Sequence, residues 1–429
     1  MQSSVALNVQ QSIRPGTDCD TYYAGKENSK KQIHATTTDN RFFVALPSLN
    51  SGSSSTVTFN PNEGLAEVIL TMRLAAPSNA AGLALQEGWG YSLLRRLGYR
   101  YGSSQLYYIT GQQNMVQSLA LCEDSGKKQQ MFFLGGQALL TPADWADAGK
   151  RTAYVYLRLP HSSPALSGGA LPFPSDVLTA PIQLQIDLAN FSQVISASTA
   201  VTGGVVPTSL EFATVNFTQV TMQDAGDLVA RRFDMSKHAL TIPLCDGWTQ
   251  EEVQLPVTVG TNGSFQVSLT GCKAGDLRKL RVWITAEADT MPDADGKISV
   301  NKFYQPAQLT FAINGLIYLD SANGSWLLTN LLRRRQPPLV TYSDIVAPLA
   351  PATVWTASPY ADAWVEIDLA QPSTRGDSQE VELLHGVPVM NSVMNLQGIM
   401  PAPGSYTIHC EYVLNCSWMA SRGSAEFVF

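Results

Sequence analysis

The sequence is informative first for what it lacks. No G-x-S-x-G turn, G-x-x-x-x-G-K-[ST] loop, G-x-G-x-x-G after a strand or H-E-x-x-H helix is present, so the common signatures of nucleophile, phosphate and zinc chemistry are missing. The five histidines (His34, His161, His238, His385, His409) stand far apart, with no i, i+4 pair and no Cys–His spacing suited to zinc. The six cysteines (Cys19, Cys122, Cys245, Cys272, Cys410, Cys416) form no C-x-x-C pair, and buried thiols are the expectation. Charge is scarce: 15% of the 429 residues are charged against 45% hydrophobic, with a net charge of -7. Non-specific nucleic-acid binding needs a basic face, and this balance argues against one. Nor does a polybasic arm precede the first strand, since Lys26, Lys30 and Lys31 are offset by Asp18, Asp20 and Glu27. No apolar run approaches the ~18 residues that span a bilayer. The opening MQSSVALNVQQSIRPG has no secretory n- or h-region, so synthesis in a cytosol-like compartment is expected. The sequons at Asn190, Asn216, Asn262, Asn323 and Asn415 are then expected to go unused.

What the chain has is alternation. Val68, Leu70, Met72 and Leu74 alternate with Glu67, Thr71 and Arg73, and Ile182, Leu184, Ile186 and Leu188 with Gln183, Gln185 and Asp187. Late in the chain Val365, Ile367 and Leu369 alternate with Glu366 and Asp368. Successive strand side chains point to opposite faces, so period two with one apolar face marks a half-buried strand. Further strands are predicted at 42–46, 56–59, 105–109, 131–134, 154–159 and 215–222 in the first half. In the second they fall at 240–243, 253–259, 264–269, 280–285, 309–313, 380–384, 406–413 and 426–429. About eight per half is what two jelly rolls need. The expected organisation is an extended arm over 1–40, a first jelly roll over 41–223, a linker over 224–237 and a second jelly roll over 238–429. Short helices are predicted at 89–97, ended by Gly98, at 114–121, after the Thr141-Pro142 cap, and at 325–335 before Pro337-Pro338. Polar segments at 161–181, 196–208 and 286–306 are too long for hairpins and read as projecting loops. Sandwiches of this size more often bind or assemble than catalyse.

Each candidate site has a plainer reading. Asp293-Ala294-Asp295-Gly296 opens like a calcium loop but lacks the later acidic ligands, so a Gly-closed turn fits better. Arg333, Arg334 and Arg335 suit a phosphate or lipid headgroup. They equally suit a helix C-terminus, where cations gain ~0.3–1 kcal/mol from the dipole. Arg375-Gly376-Asp377 in QPSTRGDSQ has the placement of an adhesion tripeptide, although three residues recur often by chance. Trp89 with Tyr99, Tyr101, Tyr107 and Tyr108 suits a sugar platform or, more simply, core and subunit packing. No residue is marked as catalytic, cofactor-binding or metal-binding, and no cofactor is expected.

At this aromatic unit the chain resembles a known family. GWGYSLLRRLGYRYGSSQLYYITGQQN (88–114) resembles the helix, hairpin and second helix early in double jelly-roll major capsid proteins of large eukaryotic DNA viruses, virophages and tailless icosahedral phages. TAYVYLRLPHSS (152–163), ALPFPSDVLTAPIQLQIDL (170–188) and the closing GSYTIHCEYVLNCSWMASRGSAEFVF are similar to later strands of that family, in the same order. The resemblance spans most of 42–429. It implies two jelly rolls standing side by side in each chain and three chains in a pseudo-hexameric homotrimer that tiles an icosahedral shell. The implied partners are further copies of the chain, minor capsid or penton proteins and an internal membrane beneath the shell, with no sequence-specific nucleic acid. The implied location is the virion. Two other classes stay open: a minor capsid, penton, spike or lectin-like binding protein, and a jelly-roll glycosidase or lyase. The latter needs paired carboxylates ~5–9.5 Å apart, and no pair stands out in the sequence.

Overall fold

The computed structural model describes residues 35–46, 49–59, 64–102, 104–120, 125–157, 180–222, 240–254, 263–272, 275–287, 303–304, 306, 308–320, 364–369, 386–400, 403–421 and 424–428. The first half carries strands β1 (Ala35–Ala45), β2 (Ser54–Thr58), β3 (Gly64–Leu74), β4 (Leu83–Ala84), β5 (Leu94–Tyr101), β6 (Ser104–Ile109), β7 (Thr152–Leu157), β8 (Ile182–Leu188), β9 (Ser196–Ala197) and β10 (Leu210–Met222). The second carries β11 (Leu240–Gln254), β12 (Ser264–Leu269), β13 (Asp276–Ala286), β14 (Gln308–Ile313), β15 (Leu316–Asp320), β16 (Val365–Asp368), β17 (Val387–Pro388), β18 (Met394–Ile399), β19 (Tyr406–Ser421) and β20 (Ser424–Val428). Among the described residues four short helices sit between strands of the first half: α1 (Trp89–Ser92), α2 (Gly111–Ala120), α3 (Ser125–Leu134) and α4 (Pro142–Ala146).

Strand order shows what these elements build. The first half forms the sheets β1-β10-β3-β7 and β2-β8-β5-β6, and the second forms β11-β19-β13-β16 and β12-β18-β14-β15. With the minor strands β4, β9, β17 and β20 set aside, each half has eight main strands, and in chain order both halves read 1-8-3-6 and 2-7-4-5. That is the pairing of a jelly roll, made twice. Every ladder among the described residues is antiparallel, which lets one face carry apolar and the other polar residues. Leu184 and Ile186 of β8 are fully buried between the first pair of sheets, as are Leu309 and Phe311 of β14 between the second. Each half thus has its own core.

Several elements depart from their sequence reading, each for a local reason. The helix predicted over 89–97 stops at Ser92, and Leu94–Tyr101 continues as β5. A bulge between Leu94 and Arg96 in the pairing with β8 leaves Arg95 and Arg96 both exposed, so alternation is broken where a strand begins. Residues 131–134 are the end of α3 and not a strand; only Phe132 of that apolar run is fully buried, and the Gly135 and Gly136 N–H groups close the helix on the Met131 and Phe133 carbonyls. The segments predicted at 240–243 and 253–259 belong, as far as Gln254, to one long β11, which shifts register between Ile242 and Cys245, where Pro243 removes a ladder donor. β15 and β18 lack a clear predicted pattern, and β1 begins at Ala35. The helix after Thr141 forms with its capping box: Thr141 Oγ1 accepts from Asp144 N–H, and Asp144 accepts from Thr141 N–H. The predicted helix at 325–335, the strand at 380–384, the turn at 293–296 and most of the loops at 161–181 and 286–306 lie outside the described residues.

Two glycines show how unevenly space is distributed. A Cβ on Gly111, at the start of α2, would lie 1.9 Å from the Tyr91 carbonyl oxygen and 2.5 Å from that of Leu94. Gly315, in the β14–β15 turn, has φ +82° but nothing within 4 Å of the same position. Gly111→Ala is therefore expected to cost about 3 kcal/mol or more through overpacking against backbone, whereas Gly315→Ala costs about 1 kcal/mol from left-handed strain. Urea unfolding of the two variants measures the difference.

Candidate functional site

The feature with the most chemistry lies where the two jelly rolls meet. In β13 and β19, Leu280, Val282, Ile284, Ile408, Cys410 and Tyr412 face the second core. The intervening residues Lys279, Arg281, Trp283, His409 and Glu411 occupy the opposite face, which in a lone sandwich would meet water. Here that face is covered: Glu411 is 0% exposed, and Trp283, Phe303 and Trp364 join the buried cluster of the first half. This sheet is buried on both sides.

Its second face is polar and closely matched. Arg281 stands directly opposite Glu411 on β19 and opposite Glu366 on β16. Arg281 Nη1 donates to Glu411 Oε2 at 3.2 Å and Arg281 Nε to Glu366 Oε2 at 2.9 Å, while Lys279 Nζ lies 3.0 Å from Glu366 Oε1. From the first half, the Gln117 side-chain amide donates to Glu411 Oε1. Gln117 lies on α2, a helix that buries Gln113, Asn114 and Ser118 as well as Met115, Val116 and Leu119. Asn114 Nδ2 donates to the Tyr156 carbonyl oxygen of β7 at 2.8 Å, fixing the helix on its own sandwich. Next along the ladder His409 stacks on Trp283, with ring centroids 5.4 Å apart and planes 4° apart, and its Nε2 is 2.9 Å from Thr285 Oγ1. β20 lies against β6, adding a strand contact to the same junction.

Two cations and two carboxylates thus share the seam. Burial would raise the Glu366 carboxyl, but Arg281 and then Lys279 outweigh it and hold the group well below the usual carboxylate range. Burial would likewise lower Arg281, and Glu411 and Glu366 hold its guanidinium above its ordinary value.

Two apolar sets remain open to solvent. In the second half Leu316 (67% exposed), Ile317 (61%), Met390 (70%) and Val393 (58%) crown adjoining turns. Asn314 ties these turns together: its Oδ1 accepts from Val393 N–H at 2.9 Å and its Nδ2 donates to Ser392 Oγ at 3.0 Å. The first half exposes Phe133, Leu134, Leu140 and Tyr154.

The residues singled out in sequence fall elsewhere. Trp89, Tyr99 and Tyr101 are core, with Trp89 Nε1 donating to the Gln137 carbonyl oxygen at 3.0 Å; Tyr108 is exposed, its ring 3.7 Å below the Arg96 guanidinium. Among the described side chains of the aromatic unit three therefore pack in the core and one pairs with a cation, while the side chain of Tyr107 lies outside them. Arg333, Arg334, Arg335, Arg375, Gly376 and Asp377 lie outside the described residues, as do His34, His161, His238 and His385. Among the described residues no group of three His, Cys, Asp or Glu side chains could hold a metal, and no helix is long and apolar enough to cross a membrane. The seam residues Gln117, Arg281, Glu366 and Glu411 were missed because polar positions alternating with apolar ones read as solvent-facing. Opposite charges at matching register are the available signal, and register is not visible before pairing is known.

Glu411→Ala, which breaks the buried pair with Arg281 Nη1 and leaves the Gln117 amide without its acceptor, is expected to destabilise by ~3 kcal/mol, against ~1–3 kcal/mol for Gln117→Ala. For Glu366 the unfolded chain binds the proton more tightly than the folded one, so its contribution is present above pH ~4.5 and lost as pH falls toward its depressed folded value. Glu366→Gln should flatten that acid loss, as read by urea midpoints at pH 7 and pH 4.

No protein-family model and no curated protein matches the sequence. Solved structures do. Over 93% of this chain and 99% of the other, it is similar to the PBCV-1 virus capsid, with 10% identity and a TM-score of 0.55. The Faustovirus major capsid protein matches over 98% and 96%, at 7% identity and a TM-score of 0.54. The mavirus major capsid protein matches over 94% and 93%, at 11% identity and a TM-score of 0.51. With the strand order found in both halves, these matches identify the fold of the chain as the double jelly roll.

Proposed function

We propose that the chain is a viral major capsid protein that self-assembles into pseudo-hexameric homotrimers tiling an icosahedral shell. The observation that carries this reading is the pair of jelly rolls of identical strand order, joined through a buried seam. Two similar blocks held in one orientation make three chains present six blocks, the outline a hexagonal tile requires. Structural likeness along nearly the full length of capsid proteins supports the same role.

The exposed apolar sets support self-association. They lie on different halves, so contact between them is heterologous, and heterologous contacts close into rings when the rotation permits. Leu316, Ile317, Met390 and Val393 of one copy are proposed to seat on a neighbouring copy. The arm at 1–40, the jelly rolls at 41–223 and 238–429 and the linker at 224–237 complete the proposed organisation. Further partners in this reading are neighbouring capsomers, minor capsid or penton proteins and a membrane beneath the shell. The role is structural, not enzymatic, and its place is the virion.

Mass in solution tests the reading: light scattering is expected to give a stable species at three times 46.4 kDa, and a monomer persisting at high concentration would overturn it. Leu316→Glu together with Met390→Glu should leave the fold intact and weaken association about 10- to 100-fold per site, from the ~1.5–3 kcal/mol that burying each side chain contributes. Sedimentation across a concentration series reads that shift.

A further inference from the structure

The β11–β19 ladder sets Cys245 directly opposite Cys416. Facing residues of an antiparallel pair share one face of the sheet with Cα atoms ~4.5–5.5 Å apart, inside the ~4.4–6.8 Å range that a disulfide spans. Cys272 and Cys410 are buried as thiols. The position is also mechanically particular. Cys245 is the first paired residue after the register shift of β11, which forms the edge of its sheet. Cys416 is the residue at which β19 changes its other neighbour: Asn415 is paired with Asp276 of β13, and Ser417 with Val428 of β20. The rung next to the shift thus carries a cysteine at each end, at the residue where β19 also changes its other neighbour.

We propose that Cys245 and Cys416 are an oxidation site that forms a cross-strand disulfide, stapling β11 to β19 beside the register shift. With a small-molecule disulfide such as oxidised glutathione as oxidant, one cysteine thiolate attacks a sulfur and expels one glutathione thiolate. The second cysteine thiolate then attacks the protein sulfur of the mixed disulfide and expels the other. One S–S bond forms in the protein and one is broken in the oxidant, which takes up two electrons as the two cysteines lose two electrons and two protons. The inference stands on register alone and does not depend on the capsid reading.

Peptide mass mapping of the full-length protein tests it. After incubation with oxidised glutathione, alkylation with N-ethylmaleimide and digestion without reductant, a linked pair of peptides containing residues 245 and 416 is expected, and reductant should separate it. Oxidation should also raise the melting midpoint of the wild-type chain by several degrees and leave that of Cys245→Ser or Cys416→Ser unchanged. Recovery of both cysteines alkylated from oxidised, folded protein would overturn the proposal, as would linkage of either one to a different cysteine. The mapping needs only the wild-type chain, so it decides the matter even where a serine variant fails to fold.

Discussion

A fully buried glutamate sets the terms on which the two jelly rolls can be joined. Glu411 belongs to the second sandwich, yet part of its hydrogen bonding comes from Gln117 of the first and part from Arg281 of its own sheet. A buried carboxylate left without such partners costs several kcal/mol, more than most single packing contacts return. An arrangement that slides α2 along β19 takes the Gln117 amide from Glu411 and leaves Arg281 to hold the carboxylate, so keeping both partners holds the two sandwiches in nearly one orientation. An all-apolar seam of equal area could be as stable, but it would tolerate sliding far better, because apolar contact is non-directional. The charge ladder acts mainly as a register device. The stacking of His409 on Trp283, and the reach of Trp283 into the first core, add apolar area around it.

The same seam explains which parts of the molecule were legible in the sequence. Strands with one wet face and one core face, such as β8 and β12, were readable to the residue because alternation reports burial directly. β13 and β16 were located by their apolar positions, but their polar positions were misread: Arg281 and Glu366 alternate as solvent-facing residues do, and it is a second domain that covers them. β5 was hidden by its bulge, and β15 by having no buried side to display, since Leu316 and Ile317 are both exposed. α2 was found in outline, but nothing in GQQNMVQSLA marks Gln113 and Gln117 as interior. Local pattern carries secondary structure; what lies on the far side of a sheet is a tertiary fact.

Sequence identity of 7–11% to capsid proteins of one shared fold has a physical counterpart in this architecture. A jelly roll asks for apolar residues on one face of eight strands and for turns of suitable length, and many sequences of adequate volume meet that demand. Demands on particular residues arise where backbones nearly touch, as at Gly111, or where a buried charge needs a partner, as at Glu411. Away from such positions one fold is compatible with very different sequences.

Covering one sheet twice also polarises the molecule. The β11-β19-β13-β16 sheet, extended by β17 and β20, spends its outer face on the sister sandwich, and β20 reaches β6 beside it. The turns around Asn314 and Ser392, in contrast, expose four large aliphatic side chains with no covering element among the described residues. The chain sets the buried Arg281–Glu411 pair at the seam, where orientation between the two sandwiches is decided, and leaves aliphatic side chains on the outer turns. Non-directional apolar surface lies on those turns, whereas the directional contacts of the seam fix the angle between the two sandwiches within the chain.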